Sequence, residues 1–231
     1  MSVTGVVAAL TAEARTLGPV RANQINTLDD GSVLIISGMG PQAATQAALA
    51  LVAAGARRLL SFGLAGALDP GLHAGAMLFP AAVTDGSGAV HRTCEVWRER
   101  LAARAGARAE PHGGTLLSLA QPLLTSSAKS EAWGRTHACA VDMESFAIGA
   151  VAIHSGIDFA VARVVVDTAG DSLPGSVLRA TGSRGELNYP RLLSGLLHSP
   201  AEIFALLRLA RRYRRAMGSL RRLGQLGVGS P

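Results

Sequence analysis

Short apolar segments alternate with alanine-rich, helix-forming segments along most of this chain, and this alternation constrains the fold more than any other feature. Strands and helices that alternate at this spacing build a mixed or parallel sheet covered by helices. The predicted helices are 41–54, with a proline in its first turn, 94–105 and 144–155. The predicted strands are 4–9, 32–37, 59–62, 76–84, 114–118, 138–142 and 159–167. The pattern therefore predicts an α/β fold: one three-layer α/β/α domain with a central mixed sheet.

The size and composition of the chain agree with one globular domain. Its 231 residues can bury a full core, and 48% are hydrophobic while only 16% are charged. There is no uninterrupted apolar run of about 20 residues, so we predict no membrane-spanning helix. The N-terminus enters a strand without a basic segment or a cleavage site, and we therefore expect a cytoplasmic protein. Because Cys94 and Cys139 lack metal-ligand spacing, we expect neither a metal nor a cofactor.

The net charge of +6 comes from the C-terminal region. Seven arginines lie within residues 207–231, and the rest of the chain carries 15 basic against 16 acidic residues. Aromatic residues make up 4% of the chain, and no basic patch is interleaved with aromatic side chains that would stack on bases. We therefore expect no nucleic-acid partner.

Residues 199–223 are predicted to form a basic amphipathic helix, separate from a domain that spans residues 1–198. One face consists of Ile203, Leu206, Leu207, Ala210, Tyr213, Met217 and Leu220, and arginines fill much of the other face. Such a helix fits an anionic membrane surface, but packing on the domain or in a subunit contact explains the pattern equally well. The preceding segment, 171–188, is rich in glycine, serine and arginine, which predicts either a loop that closes over a substrate or a disordered region.

Acidic residues stand at the ends of elements that are otherwise apolar. Asp142 and Glu144 lie where a predicted strand meets a predicted helix, and Asp167 ends another predicted strand. Ligands of open α/β sheets bind at the carboxyl ends of strands, which makes these acids candidate site residues. Taken singly, Glu144 is more typical of a helix N-terminal acid favoured by the helix dipole, and Asp167 is more typical of a turn cap.

Five segments together resemble the nucleoside phosphorylase and nucleosidase superfamily, especially its methylthioadenosine/S-adenosylhomocysteine nucleosidases. The sequence VDMES at 141–145 and the strand ending RVVVDT at 163–168 carry the resemblance most clearly. Three further segments follow the family's order: GVVAAL running into TAE at 5–13, SGMG at 37–40 and the glycine-rich SFGLAGALDP at 61–70. The resemblance covers residues 3–170 and implies a nucleoside phosphorylase-like domain.

The resemblance also implies roles for individual residues in cleaving an N-glycosidic bond through a ribosyl cation-like transition state. Asp167 would protonate N7 of adenine, which requires a carboxyl group whose pKa is raised by burial, and Glu13 would act as general base on a water. Glu144 would accept hydrogen bonds from ribose hydroxyls. The other implied substrate-site residues are Met143 against the sugar, Arg163 orienting carboxylates, Asp142 in a less direct role, and Gly63, Leu64 and Ala65 of the glycine-rich segment. The family's enzymes commonly form homodimers, and we expect one here.

The nucleophile is predicted to be water rather than phosphate. A phosphate dianion needs backbone N–H groups, hydroxyls and at least one arginine. Leu64 offers no side-chain donor where the family often has serine or threonine, and Glu13 adds negative charge. Arg15, Arg57 and Arg58 leave a phosphate site built from distant arginines open.

The substrate is predicted from two departures from the small-thionucleoside enzymes. Residues 125–129, TSSAK, replace the segment in which those enzymes place a phenylalanine over the purine, and the basic helix 199–223 is added. Together these features resemble the hopanoid-associated branch, which implies adenosylhopane as substrate and a peripheral position at the inner face of the cytoplasmic membrane. The alternatives are a purine nucleoside phosphorylase, a small-thionucleoside nucleosidase and a nucleoside-binding module without turnover.

Overall fold

The computed structural model describes residues 3–106, 114–172 and 202–227, and all structural statements below concern these ranges. Their strands are β1 Thr4–Ala8, β2 Asn26–Thr27, β3 Val33–Ile36, β4 Arg58–Ala67, β5 Met77–Leu78, β6 Ala82–Thr84, β7 Val90–Arg92, β8 Thr115–Ser118, β9 Ala140–Asp142 and β10 Asp158–Asp167. Their helices are α1 Thr11–Ala14, α2 Pro41–Ala53, α3 Glu95–Ala105, α4 Ser126–Thr136, α5 Ser145–His154 and α6 Glu202–Gln225.

One mixed sheet contains all ten of these strands. Its order is β2-β3-β1-β4-β9-β8-β6-β7, and β10 pairs with β4 and β5. Strand β4 is central, because it runs parallel to both β1 and β10 and its last residues pair antiparallel with β9. The carboxyl ends of β1, β9 and β10 therefore lie beside the C-terminal half of β4.

Helices cover both faces of this sheet, as the alternation of elements predicts. Alternate residues of β10 enter two different cores: Val161 lies in a cluster with α2 and α5, and Ala162 lies in a cluster with α3 and α6. The period of two along a strand sends neighbouring side chains to opposite faces, so an almost continuously apolar strand such as β10 must be buried on both sides. The predicted α/β class with a central mixed sheet is confirmed.

Two predicted elements differ from the structure. The predicted strand 76–84 is divided into β5 and β6, because Pro80 between them has no N–H to donate to a sheet ladder. The predicted strand 59–62 continues through the glycine-rich segment to Ala67, because β10 pairs alongside it as far as Gly66. Residues 63–67 of the glycine-rich segment are thus strand, and the backbone of this strand lines the candidate site.

Helix α6 contributes to the core with its C-terminal half. Ala216, Leu220 and Leu223 are fully buried with the residues of β4 and β10, whereas Leu207 is 52% exposed. No helix among the described residues is long and apolar enough to cross a membrane. Residues 173–188 of the predicted loop and 199–201 of the predicted tail lie outside the described residues.

The burial of α6 generates a stability prediction. Replacing Leu220 by alanine should lower the free energy of unfolding by about 2–5 kcal/mol, because it leaves a cavity between the helix and the sheet. The matched change Leu207→Ala, on the exposed part of the same helix, should cost less than about 0.5 kcal/mol. Urea unfolding followed by circular dichroism measures both values, and equal small effects would contradict the packing of α6 in the core.

Candidate active site

A cavity of about 300 Å³ lies beside the C-terminal half of β4, at the carboxyl ends of β1, β9 and β10. Eight of the nine site residues named from the sequence line it: Glu13, Leu64, Ala65, Asp142, Met143, Glu144, Arg163 and Asp167. The ninth, Gly63, lies next to Glu13 and Arg163. The structure therefore brings together residues that are up to 154 positions apart in the chain.

Arg163, in the middle of β10, is the centre of a buried polar cluster. It is 1% exposed, and its Nη2 lies 2.5 Å from Asp142 Oδ2 and 3.4 Å from Glu144 Oε2. The same nitrogen donates to the hydroxyls of Ser61, at 2.8 Å, and Ser145, at 3.2 Å. Burial disfavours the charged guanidinium, but the surrounding carboxylates outweigh it and raise the pKa of Arg163 further. Arg163 thus contacts two carboxylates of the candidate site, and the orienting role that the resemblance implies stays a prediction.

Asp142 and Glu144 bind different backbone N–H groups. Asp142 accepts the backbone N–H of Ser145 at 3.2 Å, so it is the residue that stabilises the start of α5. The Glu144 carboxylate makes no such cap and instead accepts the N–H of Gly40 at 2.9 Å. Glu144 thus stands at the N-terminus of α5, as the helix-dipole interpretation also expects, while its carboxylate makes no cap hydrogen bond and lines the cavity.

Glu144 titrates near neutral pH in this environment. Burial raises the pKa of its carboxyl group to about 7, opposed by Arg163 and reinforced by the negative charge of Asp142. A carboxylate at this position is therefore only partly ionised at pH 7, and small changes of pH alter its ability to accept hydrogen bonds.

Glu13, at the end of α1, is fixed by two backbone donors. Its Oε1 accepts the N–H of Leu64 at 2.8 Å, and its Oε2 accepts the N–H of Leu10 at 2.9 Å. The residue is 2% exposed. Burial raises the pKa of its carboxyl group, although Arg163 and the backbone donors lower it. Glu13 is thus a buried carboxylate bound where β4 passes the cavity.

Only glycine fits at position 63. A Cβ there would lie 2.6 Å from Glu13 Oε1 and 2.7 Å from Arg163 Nη1, closer than non-bonded atoms approach. The absence of a side chain allows the Glu13 carboxylate to reach the backbone of β4 while Arg163 lies on the same segment. Gly63 therefore contributes to the site through the space that it leaves.

An irregularity at the end of β10 determines the direction of the Asp167 side chain. Val165 pairs with Ala65 and Asp167 with Gly66, so Val166 is an extra residue on the β10 side. Such bulges redirect side chains, and here the carboxylate lies beside Gly66, where a Cβ would be 3.3 Å from Oδ1. Burial raises the pKa of Asp167, and this effect exceeds the opposing effect of a neighbouring lysine.

That lysine, Lys129 on α4, was not identified as a site residue from the sequence. Its side chain is 1% exposed and lines the cavity. Its Nζ forms an ion pair with Asp167 Oδ2 and donates to the carbonyl of Thr168 at 2.8 Å. A fully buried lysine is rare unless it is paired, so this contact belongs to the construction of the site.

Two features of the sequence mark Lys129 as a candidate site residue. The chain contains 22 lysine and arginine residues, and Lys129 is the only lysine among them. It also lies three residues before the buried Ala132, on the interior face of α4, whose first turn is capped by the hydroxyl of Thr125. A single lysine on an interior helix face points to a specific partner.

Apolar side chains form much of the remaining wall. They come from the chain after β1, after β3 and after β9, from the chain before α4 and from α6, and include Leu10, Met39, Met143, Leu123 and Tyr213. Tyr213 was assigned from the sequence only to the apolar face of the tail. Tyr213 lines the cavity, so α6 reaches it, and burial together with the charge of Glu13 raises the pKa of its phenol.

The arrangement supplies two buried carboxylates near different parts of β4, Glu13 by Gly63 and Asp167 by Gly66. Within the described ranges, no group of histidine, cysteine and acidic residues is suited to hold a metal ion. Chemistry in this cavity can therefore draw on a buried acid and a buried base, whose pKa values burial has moved toward neutrality.

Solved structures with the same fold include three bacterial enzymes. The 5′-methylthioadenosine/S-adenosyl homocysteine nucleosidase of Campylobacter jejuni is 15% identical with a TM-score of 0.70, over 98% of this chain and 99% of that one. The futalosine hydrolase of Helicobacter pylori is 14% identical with a TM-score of 0.67, over 96% and 97%. The S-adenosylhomocysteine nucleosidase of Streptococcus pyogenes is 18% identical with a TM-score of 0.62, over 73% and 85%.

These identities establish a common fold and no more. No curated protein sequence shows significant similarity to this chain. The sequence model of the phosphorylase superfamily, however, matches residues 22–194, which is about three quarters of the chain. The segment matched contains Gly63, Asp142, Glu144, Arg163 and Asp167, the residues around which the cavity is built. On this match, the chain belongs to the phosphorylase superfamily.

Proposed function

We propose that this protein is a nucleosidase that cleaves the N-glycosidic bond of an adenine nucleoside by hydrolysis. The observation that carries the proposal is the position of Glu13, whose carboxylate accepts the backbone N–H groups of Leu64 and Leu10. Backbone N–H groups beside a glycine are a typical binding place for an anion. A carboxylate of the protein occupies this one, which favours a neutral nucleophile such as water over phosphate.

The cations of the cavity support the same choice. Among the described residues that line it, the cationic side chains are Arg163 and Lys129, and each is paired with a carboxylate of the protein. A phosphate dianion would have to compete with Asp142 and Asp167 for them.

The spacing along β4 fits a nucleoside between the two carboxylates. Gly63, beside Glu13, and Gly66, beside Asp167, are three residues apart on an extended strand, which corresponds to about 10 Å. This separation suits a water on one side of C1′ and N7 of the purine on the other. The cavity volume of about 300 Å³ is at the lower end of the range for small-molecule sites.

In the proposed reaction, protonated Asp167 donates its proton to N7 of the base. The C1′–N9 bond breaks, and its electron pair leaves with the base. Glu13 removes a proton from the attacking water, whose oxygen forms the new bond to C1′, so the products are adenine and a free ribosyl group. Glu144 accepts hydrogen bonds from the ribose hydroxyls, and Met143 packs against the sugar.

We propose adenosylhopane as the nucleoside, which would give a ribosyl hopanoid as product. The apolar wall and the partly exposed Met39 and Tyr213 provide surface for a lipid substituent. Three exposed residues of α6, Leu207, Arg208 and Arg211, support a peripheral contact with the inner face of the cytoplasmic membrane. The alternatives remain a small-thionucleoside nucleosidase, a purine nucleoside phosphorylase and a binding module.

The experiment that separates these possibilities is adenine release from adenosylhopane in vesicles and from methylthioadenosine, each with and without phosphate. The proposal expects release from the lipid without phosphate and little release from methylthioadenosine. Preference for the small thionucleoside would reject the lipid assignment alone, and a ribosyl phosphate product would reject hydrolysis. Tight adenine binding without turnover would identify a binding module.

Asp167→Asn tests the assignment of the acid. The change should lower kcat by about 10²–10⁴, because the amide has no proton of suitable acidity for N7, while adenine binding persists. The matched control is Asp158→Asn, at the exposed first residue of the same strand, which should leave kcat within about twofold. Equal activity of Asp167→Asn and the wild type would show that another group protonates the base.

The pH dependence follows from Glu144 and Asp167. Glu144 must be ionised to accept ribose hydroxyls, and its pKa of about 7 predicts that kcat/KM falls as the pH drops below about 7. Asp167 must be protonated, so its raised pKa extends activity toward higher pH before a basic limb begins. Glu144→Gln should lower kcat/KM and remove the acidic limb near pH 7. An unchanged acidic limb in this variant would assign it to another residue.

We also propose a homodimer, formed through α2 and α5. These helices pack on each other, and α2 contains no charged residue. Leu49 and Ile153 are 49% and 53% exposed on them, which provides an apolar surface for a second copy. Sedimentation equilibrium should give twice the chain mass for the wild type and the single mass for Leu49→Asp/Ile153→Asp. A monomeric wild type would contradict the proposal.

A further inference from the structure

The contact between Lys129 and Asp167 poses a problem for the proposed chemistry. Asp167 needs a proton in order to give one to the base, whereas the ammonium group that pairs with it stabilises the ionised carboxylate. A cation whose only role was to hold Asp167 in place would therefore work against the reaction. The identity of that cation resolves the conflict.

Lysine and arginine differ in one property that matters at this position. An arginine stays protonated under all ordinary conditions, but a lysine can release a proton when it is withdrawn from water. The chain uses arginine for 21 of its 22 lysine and arginine positions and has its one lysine here. The exception thus coincides with the place at which a releasable proton is useful.

The other charges around Asp167 offset one another. Three charged groups influence this carboxylate: Lys129 from α4, Asp171 from the loop after β10, and Arg212 from α6. Arg212 and Asp171 form an ion pair with each other, and Asp171 is held further by the N–H of Thr168 at 2.8 Å. The partner that remains for a proton on Asp167 is Lys129.

We propose that Lys129 and Asp167 share one proton and that Lys129 is the source of the proton that Asp167 gives to the base. In the open cavity the two groups form an ion pair. When the nucleoside fills the cavity and excludes water, the pair converts to a neutral amine and a neutral carboxylic acid. This inference rests on the proposed function. Lys129 acts on the base only through Asp167, so Lys129 is a positioning residue.

The proposed step consists of two proton transfers, from Lys129 to Asp167 and from Asp167 to the base. The Nζ–H bond of Lys129 breaks as an O–H bond forms on Oδ2 of Asp167. The acid then transfers a proton to N7, the electron pair of the C1′–N9 bond goes to the base, and Asp167 is left ionised. The neutral amine still donates to the carbonyl of Thr168, which the structure places 2.8 Å from Nζ. Solvent returns a proton to Lys129 once the products leave.

Burial provides the driving force for the conversion. Lys129 is 1% exposed and Asp167 is 6% exposed even before a ligand occupies the cavity. Two opposite charges keep their advantage over a neutral pair only while water and other dipoles solvate them. A nucleoside that covers the open side removes that solvation, so binding of the substrate itself prepares the acid.

Two substitutions of Lys129 separate proton supply from simple charge pairing. Lys129→Arg keeps the charge but has no releasable proton, and its kcat should fall at least about 100-fold with KM changed less than about threefold. Lys129→Met removes the charge together with the proton source, so Asp167 must take its proton from solvent, and kcat should fall less than in Lys129→Arg. Arg135→Met, an exposed position on the same helix, is the matched control and should behave like the wild type.

The order of the two variants decides the question. If the arginine variant retains activity and the methionine variant loses it, Lys129 only supplies a charge, and the proposal is wrong. Wild-type kinetics in both variants would also reject it. Thermal melting of each variant identifies any loss of folding. If a variant does not fold, measurements on protein grown with γ-thialysine or ¹⁵N-lysine replace the kinetics of that variant.

Because the chain has a single lysine, a lysine analogue or isotope-labelled lysine changes position 129 alone. Protein grown with γ-thialysine in place of lysine changes at one position only, and its more acidic amine should move the basic limb of the kcat profile down by about one pH unit. Protein grown with ¹⁵N-lysine gives one side-chain signal, which should shift from ammonium toward amine when adenine is added. An unmoved limb and a persistent ammonium signal with adenine bound would overturn the proposal. Wild-type protein that neither binds adenine nor cleaves an adenine nucleoside would instead overturn the proposed function.

Discussion

The buried guanidinium of Arg163 holds the candidate site together, because it neutralises carboxylates that would otherwise repel one another. Asp142 and Glu144 both contact it, and Glu13 lies near enough for its charge to raise the pKa of Arg163. Removing one partner from such a buried cluster typically costs 3–5 kcal/mol, since the remaining charges are left without compensation. The position of each acid is thus tied to one residue of β10, and the geometry of the cavity follows from it.

The rest of the site depends on how closely two carboxylates can lie to the backbone of β4. Gly63 leaves room for the Glu13 carboxylate, and Gly66 leaves room for that of Asp167. The two acids therefore sit against one rigid strand at different points along it, which gives them a fixed separation. Burial raises the pKa of both, but their partners differ: Glu13 is bound by backbone N–H groups near Arg163, whereas Asp167 is paired with Lys129. This asymmetry is what an acid and a base in one cavity require.

The sequence allowed the fold to be predicted where local pattern determines structure. The predicted bounds of α2, α3 and α5 agree with the structure to within one residue, because apolar periodicity and the proline at position 41 mark them directly. The acids at the ends of β9 and β10 could be identified for the same reason. The sequence pattern did not reveal that Asp142 rather than Glu144 caps α5, since both are acids near the same helix start. That difference depends on Gly40 and Arg163, which only the tertiary structure brings close.

Lys129 and Tyr213 were missed for a related reason. Each lies on an element whose distance from the site is fixed by packing of the whole domain, and a helical pattern alone shows only which face is interior. The count of one lysine against 21 arginines is a signal that the sequence did contain. Ser61 and Ser145 illustrate a different case: both lie in segments that carry the family resemblance, but only the structure shows that their hydroxyls, 2.8 Å apart, both accept from Arg163.

The claim on which the account depends is that water, activated by Glu13, attacks the sugar. The most direct measurement is the cleavage of an adenine nucleoside in ¹⁸O-labelled water containing phosphate, followed by mass spectrometry of the sugar product. The account predicts one ¹⁸O atom in the C1′ hydroxyl at every phosphate concentration, and no ribosyl phosphate. A phosphorylated sugar without the label, formed at a rate that rises with phosphate, would contradict it.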